Sequence, residues 1–310
     1  MADKIKLIFS KIRKYNALVG LLVLFVVAGG LSSIVNYNAK LNETAPTISD
    51  TKVQEGAKKD ESIDLPVIMY HALLKDSKRW NDYVISPDML EEDLKYITEN
   101  GYTTILVKDL IDYVENGTPL PEKPILLTFD DGYYNNYLYG FPLFQQYNCK
   151  AVISIIGYHS ERYSISDEKN ANYSHITWDE MKEMIDSGLV EIQNHSYNLH
   201  TKDNGRVGAK KVWGESLDSY TKTISDDIMK NQQILEEKLG ITPSTFTYPY
   251  GAISDASLDI IKELGFKASF SCAQKINKIT RDPECLYLIN RFLRPAGISS
   301  SEFFKKIDVK

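Results

Sequence analysis

The sequence predicts an α/β domain built as an irregular (β/α)7–8 barrel, preceded by one N-terminal transmembrane helix. From residue 64 onward, short apolar runs alternate with amphipathic segments. Runs that are hydrophobic at nearly every position are typical of parallel strands covered by helices on both faces. Seven or eight such units in about 245 residues favour a barrel, although an open doubly wound sheet is the structural alternative.

The transmembrane helix is predicted at residues 17–36, because residues 17–35 contain no charged side chain. A helix of about 20 apolar residues spans the hydrocarbon core of a bilayer. The tail before it, residues 1–16, carries a basic cluster and is expected in the cytoplasm, which places the rest of the chain outside the cell. A cleaved signal peptide is the alternative, since Ala28 and the two glycines after it would suit a peptidase and leave a secreted protein.

The segment after the helix, residues 37–63, is polar and mixed in charge, and it predicts a flexible stalk before a folded domain at residues 64–310. A net charge of −6 argues against nucleic acid as a partner, because no basic stripe can neutralise phosphates. Three cysteines are too few for a disulfide scaffold. A Cys272–Cys285 bridge is one interpretation, and three buried free thiols are the other.

Eight strands are predicted in the folded domain: Pro66–His71, Thr103–Val107, Pro124–Asp130, Ala151–Ile156, Val190–His195, Phe246–Pro249, Lys267–Ser271 and Leu286–Phe292. Seven helices are predicted between and after them: Pro87–Asn100, Lys108–Asn116, Tyr134–Tyr147, Trp178–Ser187, Asp226–Leu239, Ala256–Leu264 and Ser301–Ile307. Helix signals support several of these, since Thr177 and Glu180 form a capping box and a glycine often follows the last helical residue.

The most informative stretch is a pair of adjacent carboxylates at the end of an apolar strand. Asp130, Asp131 and Gly132 follow the hydrophobic run at residues 124–127. Carboxylates are costly to place there without a partner, and a glycine lets the backbone turn sharply. Because adjacent strand residues point in different directions, one carboxylate can hold a metal while the other takes a proton. An ordinary turn is the alternative, since turns favour Asp and Gly.

Two histidines, His195 and His200, lie at and just after the end of another predicted strand. A separation of five residues brings the two imidazoles together only if the chain turns after His195. Two neutral imidazoles and one carboxylate, for which Asp131 is the candidate, form a catalytic zinc ligand set with one open position. Zn²⁺ is the predicted ion, and Co²⁺, Ni²⁺ or Fe²⁺ would suit the same ligands. An incidental histidine pair is the alternative.

Three motifs together resemble the polysaccharide deacetylase family, carbohydrate esterase family 4: residues 128–133, the pair His195 and His200, and residues 248–251. The resemblance extends from about Leu65 to Arg294. It implies that Asp130 is the general base and that Asp131, His195 and His200 bind the metal. It also implies that the backbone N–H of Tyr250 stabilises the oxyanion.

The chain departs from most family members in its histidine spacing and in having no histidine after His200. Residues 66–71, ending in Tyr70 and His71, resemble instead the start of a circularly permuted subgroup that includes deacetylases of poly-N-acetylglucosamine. That subgroup uses the five-residue histidine spacing and an acid near the start of the domain. His71 is therefore the predicted general acid. A strand-end histidine satisfied by the backbone is the alternative.

The third motif also lacks the arginine that orients the base in most members. Arg291, at the end of the last predicted strand, is the candidate substitute, and a surface ion pair is the alternative. Aromatic rings pack on the apolar faces of sugars, but they also fill α/β cores. The predicted substrate contacts are Tyr133, Tyr248, Pro249 and Trp80.

The expected function is a metal-dependent hydrolase that removes N-acetyl groups from extracellular or cell-wall polysaccharide containing N-acetylglucosamine, with release of acetate. An N-acetylated glycan would be its substrate, and the membrane would be contacted through residues 17–36. The alternative is a weak or inactive glycan-binding protein of the cell surface, which the missing third-motif arginine favours.

Overall fold

The computed structural model describes residues 62–307. The predicted tail, the transmembrane helix and nearly all of the stalk lie outside the described residues. Within residues 62–307, no helix is both long enough and apolar enough to cross a bilayer.

Residues 62–307 contain twelve strands: β1 Ile63–Leu65, β2 Val67–Tyr70, β3 Ala72–Leu73, β4 Val84–Ile85, β5 Thr103–Ile105, β6 Pro124–Phe129, β7 Ala151–Ile155, β8 Val190–Asn194, β9 Thr245–Thr247, β10 Ala268–Phe270, β11 Asn277–Ile279 and β12 Phe292–Leu293. The same residues contain eight α-helices: α1 Pro87–Glu99, α2 Val107–Asn116, α3 Phe141–Tyr147, α4 Gly157–Ser166, α5 Trp178–Asp186, α6 Leu217–Leu239, α7 Ser257–Glu263 and α8 Ser300–Ile307. A π-helical turn, Asn136–Gly140, precedes α3, and short 3-10 turns lie at Ser77–Arg79, Pro249–Gly251 and Pro283–Leu286.

Eight strands form one parallel sheet in the order β10-β9-β8-β7-β6-β2-β12, with β5 paired to the first half of β6. Neighbouring strands follow the chain in one direction around the sheet, as in a barrel, without the reversal of strand order that marks a doubly wound sheet. Within the described residues no ladder joins the outer strands β10 and β12. The sheet is thus a curled half-barrel, which confirms the α/β class and is consistent with a (β/α) barrel.

The core lies on both faces of this sheet. Every residue of β6 and β7 is buried, as the apolar runs in the sequence predict. The largest apolar cluster joins these strands to the inner faces of α1, α3, α5 and α8. This packing holds the central strands rigidly, so that their carboxyl ends provide fixed positions for functional side chains.

Three predicted elements differ from the structure, and one helix and four short strands (β1, β3, β4 and β11) were not predicted. The strand predicted at Leu286–Phe292 is wrong for most of its length, because Leu288 adopts φ 55° and breaks the extended backbone. The helix predicted at Tyr134–Tyr147 begins as a π-helical turn before α3. The helix predicted to start at Asp226 begins at Leu217, where Ser216 caps it. Helix α4 was not predicted, and it begins at a glycine without a side-chain cap.

The cysteines form no bridge in the structure. Cys149, Cys272 and Cys285 are all free, and Cys149 is buried. The three thiols are therefore free as expected, but only Cys149 is buried and Cys272 and Cys285 are partly exposed. The alternative Cys272–Cys285 bridge is wrong.

Candidate active site

A cleft of about 580 Å³ opens at the carboxyl ends of the parallel strands. Strands β2, β6 and β8 each deliver polar side chains to it at the residue where the strand ends. Reactive residues of parallel α/β folds are expected at this edge of the sheet. Seven of the predicted site residues line the cleft: His71, Asp130, Asp131, Tyr133, His195, His200 and Tyr250.

Asp131, His195 and His200 converge on one point. Their ligand atoms all lie within 4.8 Å of one another. The Asp131 Oδ1 atom is 3.4 Å from His195 Nε2 and 3.3 Å from His200 Nε2. Burial raises the pKa of the Asp131 carboxyl, but the neighbouring histidines outweigh burial and hold the pKa well below its usual range.

The three side chains fit a divalent cation. His195 Nδ1 lies 2.8 Å from the carbonyl oxygen of Thr247. Because a carbonyl can only accept, Nδ1 carries a proton, and the lone pair of the neutral imidazole then lies on Nε2, on the side of Asp131. Asp131 Oδ1 is buried and accepts no well-formed hydrogen bond from the described residues. A buried carboxylate oxygen facing two imidazole nitrogens is the arrangement that a cation would complete.

Arg291 holds the other carboxylate of the pair. The Arg291 side chain is fully buried, and its Nη1 and Nη2 atoms lie 2.6 Å and 2.8 Å from Asp130 Oδ1 and Oδ2. Its Nε atom donates to the carbonyl oxygen of Ser271 at 2.9 Å. Burial raises the pKa of Asp130, but the charge of Arg291, followed by that of His195, outweighs burial and lowers it. A surface ion pair therefore does not describe Arg291.

His71 faces Asp130 within the cleft. Its Nε2 atom lies 3.9 Å from Asp130 Oδ2, and its ring packs edge-on against Tyr83 with centroids 5.0 Å apart. Burial lowers the pKa of His71 below its usual value, because the opposing charges of Asp130 and Asp131 do not outweigh burial. Its Nδ1 atom is buried without a hydrogen-bond partner among residues 62–307. The backbone thus does not satisfy this histidine, against the alternative interpretation.

Three residues with left-handed backbone surround the site, each just after a strand. Asp131 has φ 71°, Ser196 has φ 79° and Tyr250 has φ 58°. Such conformations are costly for residues other than glycine and cluster at functional sites. Gly132 also has φ 68°, and a Cβ atom there would lie 2.8 Å from Ile155 Cγ2. The turn after the two carboxylates therefore requires glycine.

Three predicted substrate contacts do not line the cleft. Trp80 donates its indole N–H to the carbonyl oxygen of Leu74 at 2.8 Å, away from the cleft-lining residues. Tyr248 is fully buried and packs edge-on against Phe246 in the core. Pro249 is buried as well. The prediction is corrected at these three positions, because neither membership of the third motif, for Tyr248 and Pro249, nor closeness in sequence to His71, for Trp80, brings the side chain to the cleft.

The further residues that line the cleft include Lys202, Cys272 and Gln274, which the sequence motifs did not single out. Lys202 follows His200 by two residues and lies over the ring of Tyr250, 4.9 Å from its centroid. Cys272 lies two residues beyond the end of β10, and its Sγ atom is 3.8 Å from Arg291 Nη2. Their position just after a ligand or a strand end is a signal that could have identified them.

Comparisons with known proteins agree with this site. Residues 117–269 match the family model described as polysaccharide deacetylase. A poly-beta-1,6-N-acetyl-D-glucosamine N-deacetylase of Escherichia coli K12 is 28% identical over 200 residues, 59% of this chain and 30% of that protein. A protein of the same name from Staphylococcus aureus MSSA476 is 27% identical over 199 residues, 64% of each chain. The matched region thus spans less than two thirds of both relatives.

A solved structure of a de-N-acetylase from Aggregatibacter actinomycetemcomitans superposes with a TM-score of 0.66 and 29% identity, over 78% of this chain and all of that one. His71 and Arg291 lie outside the stretch that the family model matches, one before it and one after it. The fold nevertheless brings both to Asp130. Motifs, relatives and fold agree, and residues 117–269 of the chain are similar to the polysaccharide deacetylase family.

Proposed function

We propose that the protein is a metal-dependent hydrolase that removes N-acetyl groups from polysaccharide containing N-acetylglucosamine and releases acetate. The observation that carries this proposal is the convergence of Asp131, His195 and His200 within 4.8 Å, beside Asp130 and His71. The names of the relatives support the same substrate class.

Asp131, His195 and His200 would hold the divalent cation, with Zn²⁺ as the first candidate and Co²⁺, Ni²⁺ or Fe²⁺ as alternatives. When bound, such a cation polarises a carbonyl oxygen and lowers the pKa of a neighbouring water toward about 7. The remaining steps belong to the side chains around this site.

Asp130 acts as the general base. Its two oxygens are held by the guanidinium of Arg291, which fixes their direction and keeps the carboxylate ionised at neutral pH. An ionised carboxylate at the edge of the cleft can take the proton of a water that attacks the acetamide carbonyl. The backbone N–H of Tyr250 donates to the oxyanion that forms.

His71 acts as the general acid. Its Nε2 atom lies on the side of Asp130, and the two groups therefore flank the same position in the cleft. An amine is a poor leaving group, and a proton from Nε2 lets it depart as the amino sugar. Tyr133, which lines the cleft, is the proposed contact for a sugar ring.

The inactive glycan-binding alternative loses its main support in this geometry. It rested on the missing arginine of the third motif, yet Arg291 makes two hydrogen bonds to the base from a different element. We further propose that the domain acts outside the cell and that residues 17–36 attach it to the membrane. The composition of that segment supports this location.

Acetate release from oligomers of N-acetylglucosamine tests the function, with the metal content of the purified protein measured in parallel. We expect Asp130→Asn to lower kcat by about 10²–10⁴-fold, the usual contribution of a general base. The exposed Asp82 provides a control, and Asp82→Asn should release acetate at the wild-type rate. A folded, metal-loaded wild-type protein that releases no acetate from these oligomers contradicts the proposal.

A further inference from the structure

The turn between the two histidine ligands is held by side chains at each of its four backbone N–H groups. Ser196 N donates to Asn194 Oδ1 at 2.8 Å, and Leu199 N donates to Ser196 Oγ at 3.1 Å. The two N–H groups between them, those of Tyr197 and Asn198, have an acceptor outside the turn. These four bonds determine where the next residue, His200, is placed.

Both oxygens of Asp227 serve this turn. Tyr197 N donates to Asp227 Oδ1 at 2.8 Å, and Asn198 N donates to Asp227 Oδ2 at 2.9 Å. Asp227 lies in α6, a helix of 23 residues. One carboxylate on a long helix therefore accepts hydrogen bonds from two consecutive N–H groups of the turn. Hydrogen bonds to a charged acceptor of this kind are stronger than those between neutral groups.

A second contact ties the same turn to the same helix. Asn194 is fully buried, and its Oδ1 atom also accepts from Asn231 Nδ2 at 2.9 Å. Its Nδ2 atom donates to the carbonyl oxygen of Ile228 at 3.1 Å and to Gln232 Oε1 at 3.0 Å. All of these partners lie in α6. The helix is thus a rigid frame for the turn, and Asp227 is its contact with the two middle residues of the turn, Tyr197 and Asn198.

His200 depends on this frame more than the other two ligands do. Asp131 and His195 come directly from the ends of β6 and β8, whereas His200 lies five residues beyond its strand. Ligands five residues apart face away from each other on a regular helix or strand. The turn is therefore what brings His200 Nε2 to 3.3 Å from Asp131 Oδ1.

We propose that Asp227 is a positioning residue that holds the turn at residues 196–199, so that His200 completes the cation site, and that it thereby sets the affinity of this site for a divalent cation. The inference rests on the proposed function only for the existence of that cation site. Residues that orient ligands in this way change metal affinity by about 10–100-fold when they are replaced.

The decisive variant is Asp227→Asn. It keeps the size of the side chain and one acceptor oxygen, but its amide NH₂ would face the second N–H of the turn, donor against donor. The matched control is Asp226→Asn in the same helix, because Asp226 is exposed and pairs only with Lys222 at 2.6 Å among the described side chains. The measured quantity is the dissociation constant for Zn²⁺ and Co²⁺ by chelator competition, together with the cobalt absorption spectrum and the Tm of the metal-free protein.

We expect Asp227→Asn to raise the dissociation constant by about 10–100-fold and to alter the cobalt spectrum, with Asp226→Asn unchanged in both. A lower Tm with an unchanged dissociation constant would show a merely structural role and overturn the inference. If Asp227→Asn does not fold, Asp227→Glu, which keeps the charge and moves the carboxylate by one methylene, supplies the same comparison.

The outcome separates this inference from the proposed function. A wild-type protein that binds the cation through His200 but releases no acetate contradicts the function and leaves the role of Asp227 open to the same affinity measurement. A wild-type protein that releases acetate, with Asp227→Asn binding the cation as tightly, contradicts only the role of Asp227. Absence of cation binding in the folded wild-type protein overturns both.

Discussion

Two buried arginines, Arg291 and Arg294, lie three residues apart in the sequence, and each pairs with a buried carboxylate. The two pairs differ in which guanidinium nitrogens contact the carboxylate. Arg291 binds Asp130 with two terminal nitrogens, at 2.6 Å and 2.8 Å. Arg294 reaches Asp93 with Nε alone, at 3.1 Å and 2.9 Å from the two oxygens. Its Nη1 atom instead donates to the backbone carbonyls of Pro295 and Ile298. Both guanidinium groups are fully buried.

The surroundings of the two carboxylates differ as well. Asp130 borders the cleft and has His71 nearby, whereas Asp93 lies in α1 and receives the hydroxyl of Tyr70 at 3.1 Å. Burial raises the pKa of both carboxyls. For Asp130 the charges of Arg291 and His195 prevail and lower it, but for Asp93 burial prevails over Arg294 and raises it.

The comparison teaches that a buried ion pair is not in itself a mark of function. Arg291 and Arg294 flank β12, and an odd separation along a strand sends side chains to opposite faces. One arginine therefore meets the end of β6 at the cleft, and the other meets the helix layer. Asp130, which accepts two hydrogen bonds from Arg291 and borders the cleft, is the carboxylate suited to proton transfer.

Replacing Arg291 should have the largest effect. Arg291→Gln leaves Asp130 buried without its cation, and the free energy of unfolding should fall by about 3–5 kcal/mol. Arg291 lowers the pKa of Asp130, and its removal should raise that pKa. A base works only when ionised, so the acid limb of the kcat/KM–pH profile should move to higher pH. An acid limb at the wild-type position would show that Asp130 is not the titrating base.

Replacing Arg294 should affect stability alone. Arg294→Gln also leaves a buried carboxylate without its cation, and urea unfolding should again show a loss of about 3–5 kcal/mol. Because neither Asp93 nor Arg294 lines the cleft, the folded variant should keep the wild-type kcat/KM and pH profile. A shifted acid limb in this variant would mean that the two pairs are not independent.

The sequence predicted the strand ends and the groups that follow them directly. Asp130, Asp131 and His195 come at the ends of apolar runs, and a parallel sheet brings such positions to one edge. The convergence of His200 was expected only on condition of a turn, and that turn depends on Asp227 in a helix much later in the chain. Long-range contacts of this kind leave no local pattern.

The sequence offered Arg291 as a candidate partner of the base, but it did not decide between that role and a surface ion pair, and it suggested no role for Arg294. Arg291 and Arg294 lie beside the same short strand, and a surface ion pair was an open interpretation because burial cannot be read from a charged residue alone. Trp80 was misplaced for a related reason. It is near His71 in sequence, but the 3-10 turn at Ser77–Arg79 directs its indole to Leu74.

The smallest expected effect concerns the hydroxyl of Tyr70, which donates to Asp93 in the pair of Arg294 and Asp93. Tyr70→Phe removes the donor to Asp93, and the free energy of unfolding should fall by about 0.5–1.5 kcal/mol, measured by urea unfolding, with kcat/KM unchanged. Thr128→Val is the corresponding change beside the first pair, since Thr128 Oγ1 accepts from Arg291 Nη1 at 3.3 Å and donates to the carbonyl oxygen of Ile68 at 2.8 Å. We expect a similar loss of stability there, but accompanied by a lower kcat/KM, because the orientation of Arg291 affects the base. Tyr70 directly precedes His71 in the chain. If Tyr70→Phe lowered kcat/KM as much as Thr128→Val, the pair of Arg294 and Asp93 would support the general acid through β2. The two pairs could then not be separated into a catalytic pair and a structural pair.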